Sequence, residues 1–145
     1  MTSATGRVVR EFHFDAVFDC DAKQKAVYAE MGRPIVASAL GGVNGCILAY
    51  GQTGTGKTYT MGLLGTLSGA LGTSAAPRLS SKAGVVPRAL FDVFNKVQSD
   101  RASGAAEWTV SLSLSQLYND LVLDLFSPKW TEAQRTGDAA NERRQ

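Results

Sequence analysis

"ILAYGQTGTGKTYTM", residues 47–61, joins an apolar run to a glycine-rich loop that closes on a lysine and a threonine. The spacing Gly51-x-x-x-x-Gly56-Lys57-Thr58 is the phosphate-binding loop pattern, and each residue type in it has a mechanical reason to be there. Gly51, Gly54 and Gly56 carry no Cβ, so the backbone they share with Gln52, Thr53 and Thr55 can turn its N–H groups inward around phosphate oxygens. Lys57 would meet the β- and γ-phosphates as a point charge. Thr58 would place its hydroxyl on the Mg²⁺ that bridges them. A glycine-rich turn that matched by chance would need no strand before it and no helix after it. Here residues 46–50 read as a short buried strand and Lys57 opens a helix, so the pattern stands in the context phosphate binding requires.

Downstream, the helix that starts at Lys57 is stopped by residues 62–84, "GLLGTLSGALGTSAAPRLSSKAG". Their Gly, Ser and Ala content reads as a long surface loop. A second helix fits residues 87–97, with Pro87 in its first turn and Leu90, Phe91 and Phe94 on one face. Residues 99–107 read as a turn. Trp108, Val110, Leu112 and Leu114 then alternate with polar residues, the period of a strand. Residues 118–120 turn the chain into another short strand at 121–126. Residues 127–145 hold almost nothing apolar beyond Trp130, and a disordered tail is expected there.

Upstream, Phe12, Phe14, Val17 and Phe18 suggest an extended segment that turns at Asp19-Cys20-Asp21. Across residues 22–40, Val27, Met31, Ile35 and Ala39 recur every four positions, one face of a helix that Pro34 would kink and Gly41-Gly42 would end. The 145 residues suffice for one domain, and 44% hydrophobic with 19% charged residues suits a globular one. A formal net charge of +2 is too small to point to nucleic acid or an anionic membrane. Cys20 and Cys46 form no Cys-x-x-Cys pair, so neither a zinc site nor a disulfide framework is indicated. No run approaches the roughly 18 apolar residues of a membrane span, and a cytoplasmic location without membrane insertion is expected.

Four stretches, "FHFDAVF" (12–18), "GGVNGCILAYGQTGTGKTYTMG" (41–62), "GVVPRALFDVF" (84–94) and "VSLSLSQLYNDLVLDLF" (110–126), resemble successive blocks of the kinesin motor head, in that family's order. The resemblance implies an α/β P-loop NTPase fold, a mixed sheet flanked by helices, of which these residues form an incomplete part. It makes residues 1–126 a partial motor domain. It implies that Gly51, Gln52, Thr53, Gly54, Thr55, Gly56, Lys57 and Thr58 hold the phosphates of ATP, that Thr58 touches Mg²⁺, and that Tyr59 lies near the adenine. For Tyr59, a plain packing role on the helix is an equal alternative. The family's partner is the microtubule, built of tubulin, so the intact motor would be cytoskeletal.

The chain also departs from the family pattern. Gln116-Leu-Tyr-Asn-Asp120 stands where the family text reads Glu-Ile-Tyr-Asn-Glu, and no Arg-x-Arg-Pro precedes Phe12. The γ-phosphate-sensing sequences Asn-x-x-Ser-Ser-Arg-Ser-His and Asp-x-x-Gly do not occur in the 145 residues. The expectation is therefore an N-terminal piece of a motor head, cut before its switches and inactive alone. A non-catalytic remnant that binds nucleotide, or serves only as a structural piece, is the alternative. A further reading takes "DLVLD" (120–124) as a strand ending in a magnesium-holding aspartate, which would make Asp124 catalytic in a small, complete P-loop ATPase. In the kinesin arrangement the strands beside residues 46–50 come from later sequence, so this segment is expected to lack ladder partners and to leave apolar residues exposed.

Overall fold

The computed structural model describes residues 10–62, 79–118 and 120–127. Most of the expected 62–84 loop and all but the first residue of the expected tail lie outside them. The chain divides into two compact units, residues 1–107 and 108–145.

In the first unit the chain turns at Asp19, whose Oδ1 accepts the Asp21 N–H at 3.1 Å while its carbonyl accepts the Ala22 N–H at 3.2 Å. This is a local aspartate turn of the kind that precedes helices. Helix α1 (Gln24–Val27) then passes through a π-helical turn (Tyr28–Gly32) into α2 (Arg33–Leu40). Pro34 has no N–H to give the preceding turn, and the run accommodates it by widening just upstream, where the Arg33 N–H reaches back five residues to the Tyr28 carbonyl. The kink expected at Pro34 takes this form.

The face expected from apolar spacing is not the buried one. Met31 and Ala39 are exposed and Val27 and Ile35 only half-buried, whereas Gln24, Tyr28, Gly32 and Val36 are buried and Leu40 partly so. The true stripe has the same period of four but is made of an amide, a phenol and a glycine as well as aliphatics. Counting apolar residues alone therefore selected its neighbour.

Helix α3 (Lys57–Met61) is one turn long and ends at Gly62, whose φ of 73° is left-handed. Helix α4 spans Val85–Ser103, two residues earlier and six later than expected. It stops at Gly104 (φ 68°), where the Ala105 N–H returns to the Asp100 carbonyl at 2.9 Å, so the turn expected from residue 99 begins only there. Of Leu90, Phe91 and Phe94, expected on one face, Leu90 and Phe94 are exposed and Phe91 is half-buried. Its packing residues are Val85, Ala89 and Val93, which meet Tyr28, Val36, Leu40, Ile47 and Met61 in the core. Tyr28, 2% exposed, donates its hydroxyl to Asp92 Oδ2 at 2.8 Å, and Arg33 Nε lies 3.6 Å from the same oxygen. This polar latch fastens the first helical run to α4.

The strand read at residues 46–50 does not form, and the segment lacks ladder partners and exposes apolar side chains as expected. The segment carries no ladder, and Leu48 and Tyr50 are 83% and 95% exposed. Among the described residues the only paired strands are those of the second unit, so nothing satisfies its backbone as a strand. Phe12, Phe14 and Val17 are likewise unladdered and exposed.

The second unit is a hairpin. Strand β1 (Ser115–Tyr118) pairs antiparallel with β2 (Leu121–Asp124), with Tyr118 opposite Leu121 and Ser115 opposite Asp124. The two-residue connection uses Asp120 at φ 63°, a left-handed value that aspartate tolerates better than most residues. The strand expected to begin at Trp108 is assigned only from Ser115, and β2 ends at Asp124, two residues before the expected end.

Candidate nucleotide site

The loop between residue 51 and α3 is shaped by its glycines and closed by its own lysine. Gly54 and Gly56 have φ of 86° and 93°, in the region that side chains with a Cβ avoid. Gly56 hands the chain directly into α3, where the Thr60 N–H bonds to the Gly56 carbonyl at 2.8 Å. Thr55 Oγ1 donates to the Gln52 carbonyl at 2.8 Å, holding residues 52–55 in a tight turn. Lys57 Nζ donates to the Gly51 carbonyl at 2.8 Å and to the Gln52 carbonyl at 2.7 Å. The ammonium is thus fixed at the mouth of the loop, next to the exposed hydroxyl-bearing Thr58.

Gly51, Gln52, Thr53, Gly54, Thr55, Gly56, Lys57 and Thr58 therefore form one continuous turn and helix start, with Tyr59 one residue further on the same helix. Tyr59 is 64% exposed rather than packed into a core. It borders a cleft of about 740 Å³, lined also by residues 20–25 and 79–82 and by Arg88. Lys23, Lys25, Lys82 and Arg88 line that cleft together with one carboxylate, Asp21. For a divalent cation the loop offers the Thr58 oxygen. The described residues hold no cluster of three or more His, Cys, Asp or Glu side chains. Mg²⁺ suits such a place, because it keeps much of its water and takes most of its other ligands from phosphates.

Sequence reasoning missed two residues around the loop. Gln24 is 5% exposed, and its Nε2 donates to the Tyr59 carbonyl at 2.6 Å. Arg88, also buried, donates from Nε to the Ala83 carbonyl at 2.9 Å and reaches the Ser80 and Ser81 carbonyls at 3.4 Å, which fixes the cleft wall before α4. No pattern of apolar spacing could have singled out either one. Asp124, the alternative magnesium ligand, sits in the other unit on an exposed hairpin, where its Oδ1 accepts the Phe126 N–H at 3.0 Å.

A glycine loop that runs into a helix through Lys-Thr marks the class of P-loop proteins. The sequence model described as the kinesin motor domain matches residues 2–144, and the chain belongs to that family. It is 41% identical over 122 residues to the kinesin-like protein KIN-14O of Oryza sativa, covering 84% of this chain and 17% of the relative. To the kinesin-like protein KIN-5A of Arabidopsis thaliana it is 40% identical over 126 residues, covering 87% and 11%. Among solved structures, the Drosophila kinesin NOD in complex with divalent manganese and ADP superposes with a TM-score of 0.69 at 35% identity. That match covers 83% of this chain and 38% of the NOD chain. A second NOD structure, docked with bovine tubulin into a map of nucleotide-free NOD on the microtubule, matches equally well. The fold is thus that of part of a kinesin motor domain, and the chain spans about a tenth to a sixth of the length of these two curated relatives.

Proposed function

We propose that the chain binds Mg-ATP and Mg-ADP through Gly51–Thr58 and serves as the nucleotide-holding part of a microtubule motor. The observation that carries this reading is the loop itself: two left-handed glycines lead into a helix whose first residue, Lys57, has its ammonium at the loop mouth. Lys57 supplies positive charge to the β- and γ-phosphates, the loop N–H groups cradle them, and Thr58 ligates the cation. Tyr59, on the border of the cleft, offers its ring to the base. The manganese and ADP of the NOD structure support the ligand class. NOD on the microtubule supports tubulin as the partner and a cytoskeletal setting.

In the intact motor the reaction is in-line transfer of the γ-phosphoryl group to water. The two switch sequences that orient the water in kinesins are not among these 145 residues. Alone, the residues hold nucleotide without rapid turnover and bind microtubules weakly, and a microtubule-stimulated ATPase in the purified chain would overturn that part of the reading.

Lys57→Ala tests the site. A charge-assisted contact contributes about 1.5–3 kcal/mol, so affinity for Mg-ADP should fall by about tenfold to a hundredfold in calorimetric titration. An unchanged affinity would refute the assignment.

A further inference from the structure

We propose that Gln24 is a positioning residue for the phosphate-binding loop, acting through the carbonyl of Tyr59; this rests on the nucleotide-binding reading above. The last carbonyls of any helix have no intrahelical N–H to meet, and in a helix as short as α3 most carbonyls are in that position. Tyr59 O lies in this last turn, where a side chain from elsewhere can meet it. Gln24 Nε2 reaches it from thirty-five residues upstream at 2.6 Å, from a side chain 5% exposed.

The donor is itself held in place. Gln24 is the first residue of α1, and one turn later on the same face Tyr28 is tied to Asp92 of α4. The short helical run thus carries two polar side chains, one fixed to α4 and one fixed to α3. Lys57 and Thr58 are the two residues before Tyr59 in a single helical turn, so a displacement of the Tyr59 backbone carries the ammonium and the hydroxyl with it. The Lys57 contacts to Gly51 and Gln52 are internal to the loop and cannot orient it relative to the rest of the unit. The Gln24 amide does so with a directional bond. It also lines the cleft that Tyr59 borders, outside the phosphate loop itself.

The test uses the purified chain, Mg-ADP as the probe, and two variants at residue 24. Gln24→Met keeps the length and removes the donor. Gln24→Lys restores an N–H donor on a longer stem, with the cleft in front to hydrate its remaining protons. Gln24→Met should weaken Mg-ADP by about fivefold, the worth of one hydrogen bond, and accelerate hydrogen exchange at the Thr60 and Gly62 amides by a similar factor. Exchange in the β1–β2 hairpin and along α4 should stay as it was, and Gln24→Lys should recover most of both losses. Unchanged Mg-ADP affinity in Gln24→Met, with binding still lost in Lys57→Ala, overturns this proposal alone. Affinity that survives Lys57→Ala intact overturns the nucleotide reading and this proposal with it. Equal losses in Gln24→Met and Gln24→Lys, or faster exchange throughout α4, would make Gln24 a packing residue and also overturn it.

Discussion

Residues 46–50 and 51–56 are contiguous, yet the first segment forms no strand and the second is a closed turn. The glycine loop closes on itself: its glycines take left-handed angles, Thr55 bonds to Gln52, and Lys57 bonds to Gly51 and Gln52. These internal contacts all lie within six residues, and the Gln24 bond acts on the helix that follows the loop. The apolar segment before it needs partners from far away in sequence, and none of the described residues supplies them as a ladder. A turn is encoded locally, whereas a strand is a property of its neighbours.

The sharpest way to break this contrast is to attack the one place where the local motif depends on distant backbone. Gly62 ends α3 and Gly84 precedes α4, and the two meet so closely that a Cβ on Gly62 would run into the Gly84 backbone. Gly62→Ala adds left-handed strain to that collision, and unfolding free energy should fall by about 2–5 kcal/mol in urea titration. Gly84→Ala isolates the collision, because φ at Gly84 is an ordinary −85°. It should cost less than Gly62→Ala but still more than about 1 kcal/mol. If both variants unfold like the wild type, the junction is looser than described and the loop's independence is more complete.

The polar latch comes next in size. Tyr28→Phe removes the hydroxyl that Asp92 accepts. It should cost about 1–2 kcal/mol, toward the low side for a bond to a carboxylate because Asp92 is only half-buried and water can take the phenol's place. Burial, and then the hydrogen bond to Asp92 and its charge, hold the Tyr28 phenol well above its ordinary pKa. The folded chain therefore keeps a proton that the unfolded chain releases from about pH 10 upward. Stability from this group is complete below that pH and is lost as pH rises above it. Urea titrations at pH 8 and pH 10.5 should show an alkaline loss in the wild type that shrinks in Tyr28→Phe. An equal loss in both would remove the latch from the account.

These elements differ in how far they could be read from sequence. The loop, the helix start at Lys57, the stop at Gly62, the turn at residue 19 and the hairpin at residues 118–120 each rest on residue types with local backbone preferences, and each is where the sequence reading put it. The helical run across residues 24–40 was also legible, but its inner face was not. Tyr28, Gly32 and Gln24 are buried for reasons of shape and hydrogen bonding that a count of apolar residues does not register. In α4 the same error turned attention to Leu90 and Phe94, while the packing falls on Val85, Ala89 and Val93. Around the site, the shape of the glycine loop was legible because the residues that set it are consecutive. Gln24 and Arg88 were not, because their partners are backbone carbonyls, which any sequence supplies everywhere.

The smallest expected effect probes the other side of the comparison. Leu48 sits in a segment that sequence marks as a buried central strand, yet its side chain is exposed and its backbone is unladdered. A leucine in a true core would lose several kcal/mol on replacement by a small polar residue, from lost burial and from the cavity left behind. A leucine already in water has little of either to lose. Leu48→Ser should therefore change unfolding free energy by no more than about 0.5 kcal/mol, the range of ordinary surface substitutions. Hydrogen exchange gives the same answer for the backbone. The amides of Ile47, Leu48 and Ala49 should exchange far faster than that of Thr60, which is bonded to the Gly56 carbonyl at 2.8 Å only a few residues away. Slow exchange at residues 47–49, together with a loss above about 2 kcal/mol in Leu48→Ser, would mean that the segment finds a strand partner in solution. The loop would then be mounted on a sheet edge after all, and the contrast between locally encoded turn and neighbour-dependent strand would no longer describe this chain.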